Sequence, residues 1–235
     1  MYGEAVITLL TVQNTVTVSR VEVMPAELVL EQLRAVLDDI PPAAAKTGAL
    51  GSAEIVQAIA RAAADFAFPL VVDPVMISKH GRALAPDAAI AAIRTDLVPR
   101  AAVLTPNLPE AEVLTGVPIR TAGDMRRAAL QLRAMGARAV VIKGGHLQGD
   151  AIDIFSDGAE WREFPAQRVN TRHTHGTGCT YSAAITAGLA RGLRPVDAVA
   201  CAKRFIAEAI RTNPNLGKGC GPVNHHAPIN LKEVR

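Results

Sequence analysis

The sequence has few aromatic residues: five Phe, two Tyr and one Trp, 3% of 235 positions. Its core must therefore be built mainly from Ala, Val, Ile and Leu. No dense basic run with interleaved aromatics occurs, so a nucleic-acid partner is not expected. Cysteine is scarce as well. Cys179, Cys201 and Cys220 are odd in number and lack metal-ligand spacing. That argues against a disulfide scaffold and a zinc site, and for reduced thiols in a cytoplasmic protein. Long hydrophobic runs are missing too. The run from Ala5 to Val12 is too short for a membrane span, and Glu4 stands where a secretory leader would carry its basic flank. Charge of one sign does not dominate: 25 Lys and Arg against 22 Asp and Glu leave a net +3. No membrane partner is expected, and the mild positive balance is compatible with a small anionic substrate. No repeat, low-complexity tract or linker divides the chain, so a single domain over residues 1–235 is the expectation.

What is present is 49% apolar and 20% charged, the composition of a folded α/β chain. Short apolar runs alternate with helical patterns. Val6 to Val12 reads as a buried strand ending at Gln13. Leu28, Leu33, Val36 and Leu37 give a helix between Pro25 and Ile40, stopped by Pro41 and Pro42. Lys46 ends a short strand. Ser52 caps a helix running to about Phe66. Pro69-Leu-Val-Val-Asp-Pro-Val-Met76 is an apolar run that ends in an acidic residue, Asp73, and Pro74. Residues 78–81 read as a mobile loop, and residues 85–97 as a helix. Residues 101–107 form a strand ending at Asn107, and Glu110 opens a short helix. Thr121 with Asp124 forms a capping box for a helix ending at Gly136. Residues 139–145 form a strand tipped by Lys143, and Asp157-Gly158 marks a hairpin. Two helices follow, residues 180–190 and 195–211. This alternation predicts a mostly parallel sheet with helices on both faces. Right-handed crossovers then bring the strand ends Gln13, Lys46, Asp73, Asn107 and Lys143 to one edge.

The same edge receives the turn His175-Gly-Thr-Gly-Cys-Thr180. A glycine turn feeding a helix start presents unpaired N–H groups and the positive end of the helix dipole, which suits an anion. A thiol there is expected to have its pKa lowered. Each residue also has a plainer reading. The turn fits a tight bend with a buried Cys. Asp73 fits a strand ended by a turn, and Glu110 a first-turn helix charge. Lys143 fits a solvated strand end, and Gln13 a satisfied polar one.

Taken together the motifs resemble the hydroxymethylpyrimidine and phosphomethylpyrimidine kinases of thiamine biosynthesis, within the ribokinase-like superfamily. The matching stretches run in family order: residues 6–15, Lys46-Thr-Gly-Ala-Leu50, Val72-Asp-Pro-Val-Met76, Leu104-Thr-Pro-Asn-Leu-Pro-Glu-Ala111, Val141-Ile-Lys-Gly-Gly-His146, Thr174-His-Gly-Thr-Gly-Cys-Thr180 and Gly219-Cys-Gly-Pro-Val-Asn-His-His226. The resemblance implies a ribokinase-like fold and an ATP- and Mg²⁺-dependent kinase. Its substrates would be 4-amino-5-hydroxymethyl-2-methylpyrimidine and then the monophosphate, and it would work as a homodimer. It implies Cys179 as general base and Gly176, Thr177, Gly178 and Cys179 as the anion hole. Gln13 and Val75 would meet the pyrimidine, with Asp73 at a polar active-site position. Lys143, Asn107 and Glu110 would serve ATP, Glu110 also Mg²⁺. The sequence departs from the family pattern in two ways. Met1 directly precedes the point matching Tyr2-Gly3, so the family's first strand and Gly-rich loop are expected to be missing. Ala49 stands where the family often has Met. Two alternatives follow: a pyridoxal or pyridoxine kinase, or a truncated paralogue that binds a pyrimidine or nucleotide without turnover.

Overall fold

The computed structural model describes residues 2–77, 81, 83–145 and 151–228. Its elements are β1 Leu9–Gln13, β2 Val18–Val23, α1 Ala26–Asp39, β3 Ala45–Thr47, α2 Ala53–Ala62, β4 Leu70–Val72, α3 Asp87–Ala92, β5 Val103–Leu104, α4 Leu108–Thr115, α5 Ala122–Ala134, β6 Val140–Ile142, β7 Asp153–Ser156, β8 Trp161–Phe164, α6 Thr177–Ala190 and α7 Pro195–Arg211.

Six strands form one sheet in the order β3-β4-β5-β6-β7-β8. The pairings from β3 to β6 are parallel, and β7 and β8 add antiparallel. The mostly parallel sheet read from the sequence is thus present. Its central strands β4, β5 and β6 are apolar throughout because both faces are covered, and alternate residues enter two different cores. Leu70, Val72, Leu104, Val140 and Ile142 pack with Ile55, Leu114, Met125 and Leu132 on one face. Val71, Val103 and Val141 pack with Tyr181, Ile185, Val199 and Ile206 of α6 and α7 on the other.

Local chemistry sets the helix ends that matter to the site. Ser52 Oγ accepts the Ile55 N–H at 3.3 Å, capping α2. Thr121 and Asp124 form the expected capping box on α5. The pattern over residues 85–97 is realised as α3 continued by a wider π-type turn, Ile93–Leu97.

The start of the chain departs from the sequence reading. The run ending at Gln13 is not a buried strand of the main sheet. It is β1, largely exposed, paired only with β2 in a separate antiparallel ribbon. The Asn14 side chain makes the turn by accepting the N–H groups of Val16 and Thr17 at 2.8 and 3.0 Å, the local self-bonding that favours Asn in turns. Val18–Val23, rich in Val, then supplies the partner strand. Leu10 and Val12 stay exposed. A second departure concerns α6, which starts at Thr177 rather than Thr180, with Gly176 as its N-cap at φ 80°. Of the expected loop over residues 78–81, residues 78–80 lie outside the described residues.

Candidate active site

The parallel strands end in polar groups that meet beneath the α6 N-terminus. Asp73, just past β4, is 1% exposed. Its Oδ1 accepts the Lys143 ammonium at 2.9 Å and the Thr105 hydroxyl at 3.0 Å, and its Oδ2 accepts the Ser182 hydroxyl at 3.0 Å. Burial alone would push this carboxyl up. Lys143, then Lys46 and the Ser182 bond, outweigh it and hold the pKa below the usual carboxylate range. Burial likewise favours a neutral Lys143, but Asp73 and then Glu110 win and raise its pKa. The result is a fixed ion pair with the ammonium pointed at the turn: a Cβ on Gly178 would stand 3.4 Å from Lys143 Nζ. A Cβ on Gly48 would be 3.5 Å from the Lys46 ammonium.

Asn107 and Glu110 occupy the next strand end. Their Asn-x-x-Glu spacing is first of all a capping box. Asn107 Oδ1 accepts the Glu110 N–H at 2.9 Å, and Glu110 Oε2 accepts the Asn107 N–H at 2.8 Å. Glu110 is buried, and its Oε2 lies 4.0 Å from Lys143 Nζ. Its pKa is pushed up to about 7, chiefly by burial; Lys143 opposes the rise and Asp73 adds to it. A carboxylate so poorly compensated gains from any cation brought to its free oxygen, Oε1.

At the turn, the Thr177 N–H donates to Thr174 O at 3.3 Å and the Thr180 N–H to Gly176 O at 2.8 Å. The N–H groups of Gly176, Gly178 and Cys179 donate to no acceptor among the described residues. Cys179 sits in the first helical turn and is exposed. The expected lowering of its pKa does not occur. Desolvation raises it, Asp73 adds to the rise, and Lys46 and Lys143 oppose it. Desolvation, with the buried carboxylate adding to it, outweighs the helix end.

Gln13 reaches the same place from the ribbon rather than from the main sheet. Its Nε2 stands 3.0 Å from His175 Nε2, beside the turn. The ribbon tip is seated on the glycine loop near the end of the chain. Thr15 O accepts the Cys220 N–H at 2.7 Å, and Thr15 Oγ1 accepts the Gly219 N–H at 3.2 Å. The fit requires glycine, since a Cβ on Gly219 would lie 2.1 Å from Thr15 O. Val75 is partly buried two residues beyond Asp73, and its N–H donates to Asp73 O at 2.9 Å.

The structure therefore brings together Asp73, Lys143, Glu110, Asn107 and the Gly176–Cys179 turn, with Gln13 touching the turn through His175. The sequence reading left out Thr105, Ser182 and His175 as site residues. Ser182 carried a usable signal, one helical turn beyond Cys179 on the same face. Thr105 precedes Pro106 on a strand end already singled out.

A family model described as phosphomethylpyrimidine kinase matches residues 1–224. The hydroxymethylpyrimidine/phosphomethylpyrimidine kinase of Streptomyces coelicolor is 47% identical over 224 residues, 95% of this chain and 83% of that protein. The enzyme of the same name in Bacillus subtilis is 41% identical over 230 residues, 97% of this chain and 85% of that one. Among solved structures, a phosphomethylpyrimidine kinase from Clostridium difficile superposes with a TM-score of 0.79 at 40% identity, covering 89% of this chain and 87% of that one. An ADP complex of Bacillus subtilis pyridoxal kinase superposes with a TM-score of 0.88 at 35% identity, covering 96% of this chain and 87% of that one. The architecture is that of these ribokinase-like kinases, and the chain belongs to the phosphomethylpyrimidine kinase family.

Proposed function

We propose that this protein transfers the γ-phosphoryl group of ATP to the hydroxyl of 4-amino-5-hydroxymethyl-2-methylpyrimidine, and then to the resulting monophosphate, in thiamine biosynthesis. The observation that carries this reading is the Asp73–Lys143 ion pair, 2.9 Å long, aimed at the free N–H groups of Gly178 and Cys179. Phosphoryl transfer asks for alignment and charge neutralisation more than covalent help. A fixed ammonium and a helix N-terminus supply both without reorganising. Asp73 keeps Lys143 charged and immobile. Gly176, Thr177, Gly178 and Cys179 frame the phosphoryl group, and Gln13, with Val75, meets the pyrimidine ring. Cys179 in its thiolate form takes the hydroxyl proton. Burial and then Asp73 resist that ionisation while Lys46 and Lys143 favour it, so the thiol gives up its own proton to solvent before the hydroxyl attacks.

Glu110, with one carboxylate oxygen outside the capping box, fits a Mg²⁺ ion held otherwise by phosphate oxygens and water, the usual preference of that ion. When bound, Mg²⁺ would supply further neutralisation of phosphate charge. The protein is further proposed to be a cytoplasmic homodimer; light scattering checks the dimer, with monomer mass as the opposing result.

One finding favours a second reading. A pyridoxal kinase of Staphylococcus aureus solved with AMP-PCP and pyridoxal superposes with a TM-score of 0.86 at 34% identity. ADP release with the pyrimidine alcohol and with pyridoxal, each with Mg²⁺ and ATP, separates the two. A higher kcat/KM for the pyrimidine is expected, and a higher value for pyridoxal would replace the first reading with the second. ATP binding without ADP release from either would leave a binding protein.

A further inference from the structure

A second buried ion pair lies just behind the transfer centre. Asp153, the first residue of β7, is 4% exposed, and Lys203, in the middle of α7, is 8% exposed. Lys203 Nζ stands 2.9 Å from Asp153 Oδ2 and donates to Ala151 O at 2.8 Å. The other carboxylate oxygen, Oδ1, accepts the Gly144 N–H at 3.0 Å. Gly144 directly follows Lys143. It is clamped from its other side too, since a Cβ there would lie 1.9 Å from Ile152 O. The Lys143 N–H is fixed in turn by Pro106 O at 2.9 Å. The backbone on both sides of Lys143 is thus pinned, one side by a carboxylate that Lys203 holds in place. The same carboxylate stands close to the Tyr181 hydroxyl. Desolvation, and then the charge of Asp153, raise that phenol well above its usual range, although no hydrogen bond of normal geometry joins them. Tyr181 is two residues beyond Cys179 on α6. One buried carboxylate therefore bonds the backbone beside Lys143, and its charge is felt at Tyr181 on the helix that carries Cys179.

We infer that Asp153, with Lys203 balancing its buried charge, is a positioning residue that sets the Lys143 ammonium opposite the Gly176–Cys179 turn. A buried ion pair contributes little to stability that a well-packed apolar pair would not. What an apolar pair lacks is an acceptor for the Gly144 N–H. The inference rests on the kinase reading above, and a misplacement of about 1 Å at such a centre can cost roughly 100-fold in rate.

Two paired substitutions separate positioning from packing. Asp153→Leu with Lys203→Met removes both charges and the acceptor, whereas Asp153→Asn with Lys203→Met removes both charges but keeps an oxygen for Gly144. The apolar pair is expected to stay folded with a modestly lower Tm, from the unpaired Gly144 N–H, while kcat falls about 10- to 100-fold with little change in KM, and the Asn pair is expected to recover most of kcat. NMR of the Lys143 side-chain Nζ, read without substrate, should shift in the first pair and match wild type in the second. Wild-type kcat and an unshifted Lys143 resonance in the apolar pair would overturn the inference. So would an Asn pair that folds but matches the apolar pair in kcat. If the apolar pair does not fold, the Asn pair decides alone, and low kcat with a shifted Lys143 resonance counts against the inference. An inactive wild type would instead sink the kinase reading, with the resonances still judging the positioning.

Discussion

Substituting Asp73→Asn tests the electrostatic core of the site. The change keeps the shape of the side chain and one acceptor oxygen for Thr105 or Ser182, but it leaves Lys143 buried without its nearest countercharge. At 2.9 Å the gross attraction is about 6 kcal/mol in an effective dielectric of about 20. That gain offsets a desolvation cost of several kcal/mol per ion, so the intact pair adds little net stability, whereas removing one partner costs roughly 3–5 kcal/mol. For a chain of this size each kcal/mol moves Tm by about 2–4 °C, which predicts a fall on the order of 6–20 °C. Thermal unfolding followed by circular dichroism reads it. Adding Lys143→Met removes the stranded charge and should return much of the loss. A single variant within about 2 °C of wild type, or a double variant no more stable than the single, would refute the reasoning.

Three further outcomes follow from the same geometry. Glu110 has its pKa raised from the ordinary carboxyl range to about 7. Its contribution to stability is therefore complete below about pH 4.5 and is lost as pH rises through about 7, a change on the order of 3 kcal/mol at most. Glu110→Gln keeps a side chain that can close the capping box and should flatten this slope in urea unfolding between pH 5 and 8; equal slopes would contradict the burial argument. Cys179 should react with iodoacetamide with an inflection above the free-thiol value of about 8.5, and Asp73→Asn should lower it; a wild-type inflection near neutrality would restore the helix-end expectation. Gly219→Ala places a Cβ against Thr15 O and should lift the ribbon, raising KM for the pyrimidine with kcat largely kept; an unchanged KM would show that the ribbon tip does not order the substrate pocket.

Much of this site could be read from the chain because parallel strands end in apolar runs followed by one polar residue and a Pro or Gly. Asp73 before Pro74 and Lys143 before Gly144 carry that mark, Thr105-Pro106 carries it just ahead of Asn107, and the crossover rule puts such ends on one edge. The ribbon escaped the same logic. An exposed two-stranded ribbon with Leu10 and Val12 outside shows the same apolar residues as a buried strand, and only the Asn14 turn and the Val-rich stretch after it tell them apart. Ser182 and Thr105 had only positional signals, because the role of an uncharged hydroxyl is not fixed until its acceptor is known, and Asp73 is 109 and 32 residues away from them. The sign of the Cys179 shift was unreadable for a related reason, since desolvation and then Asp73 outweigh the local helix end only in three dimensions. The Asn-x-x-Glu pattern carries two meanings at once, a capping box and a cation-facing carboxylate, and periodicity alone does not rank them.

The measurement closest to the central claim is ADP release with the pyrimidine alcohol, Mg²⁺ and ATP, comparing wild type with Lys143→Met at equal folded protein. The account predicts turnover by wild type and a loss of at least 100-fold in kcat for the variant, the order expected for removing one fixed charge from a transition state. Wild-type turnover that survives in Lys143→Met would contradict it.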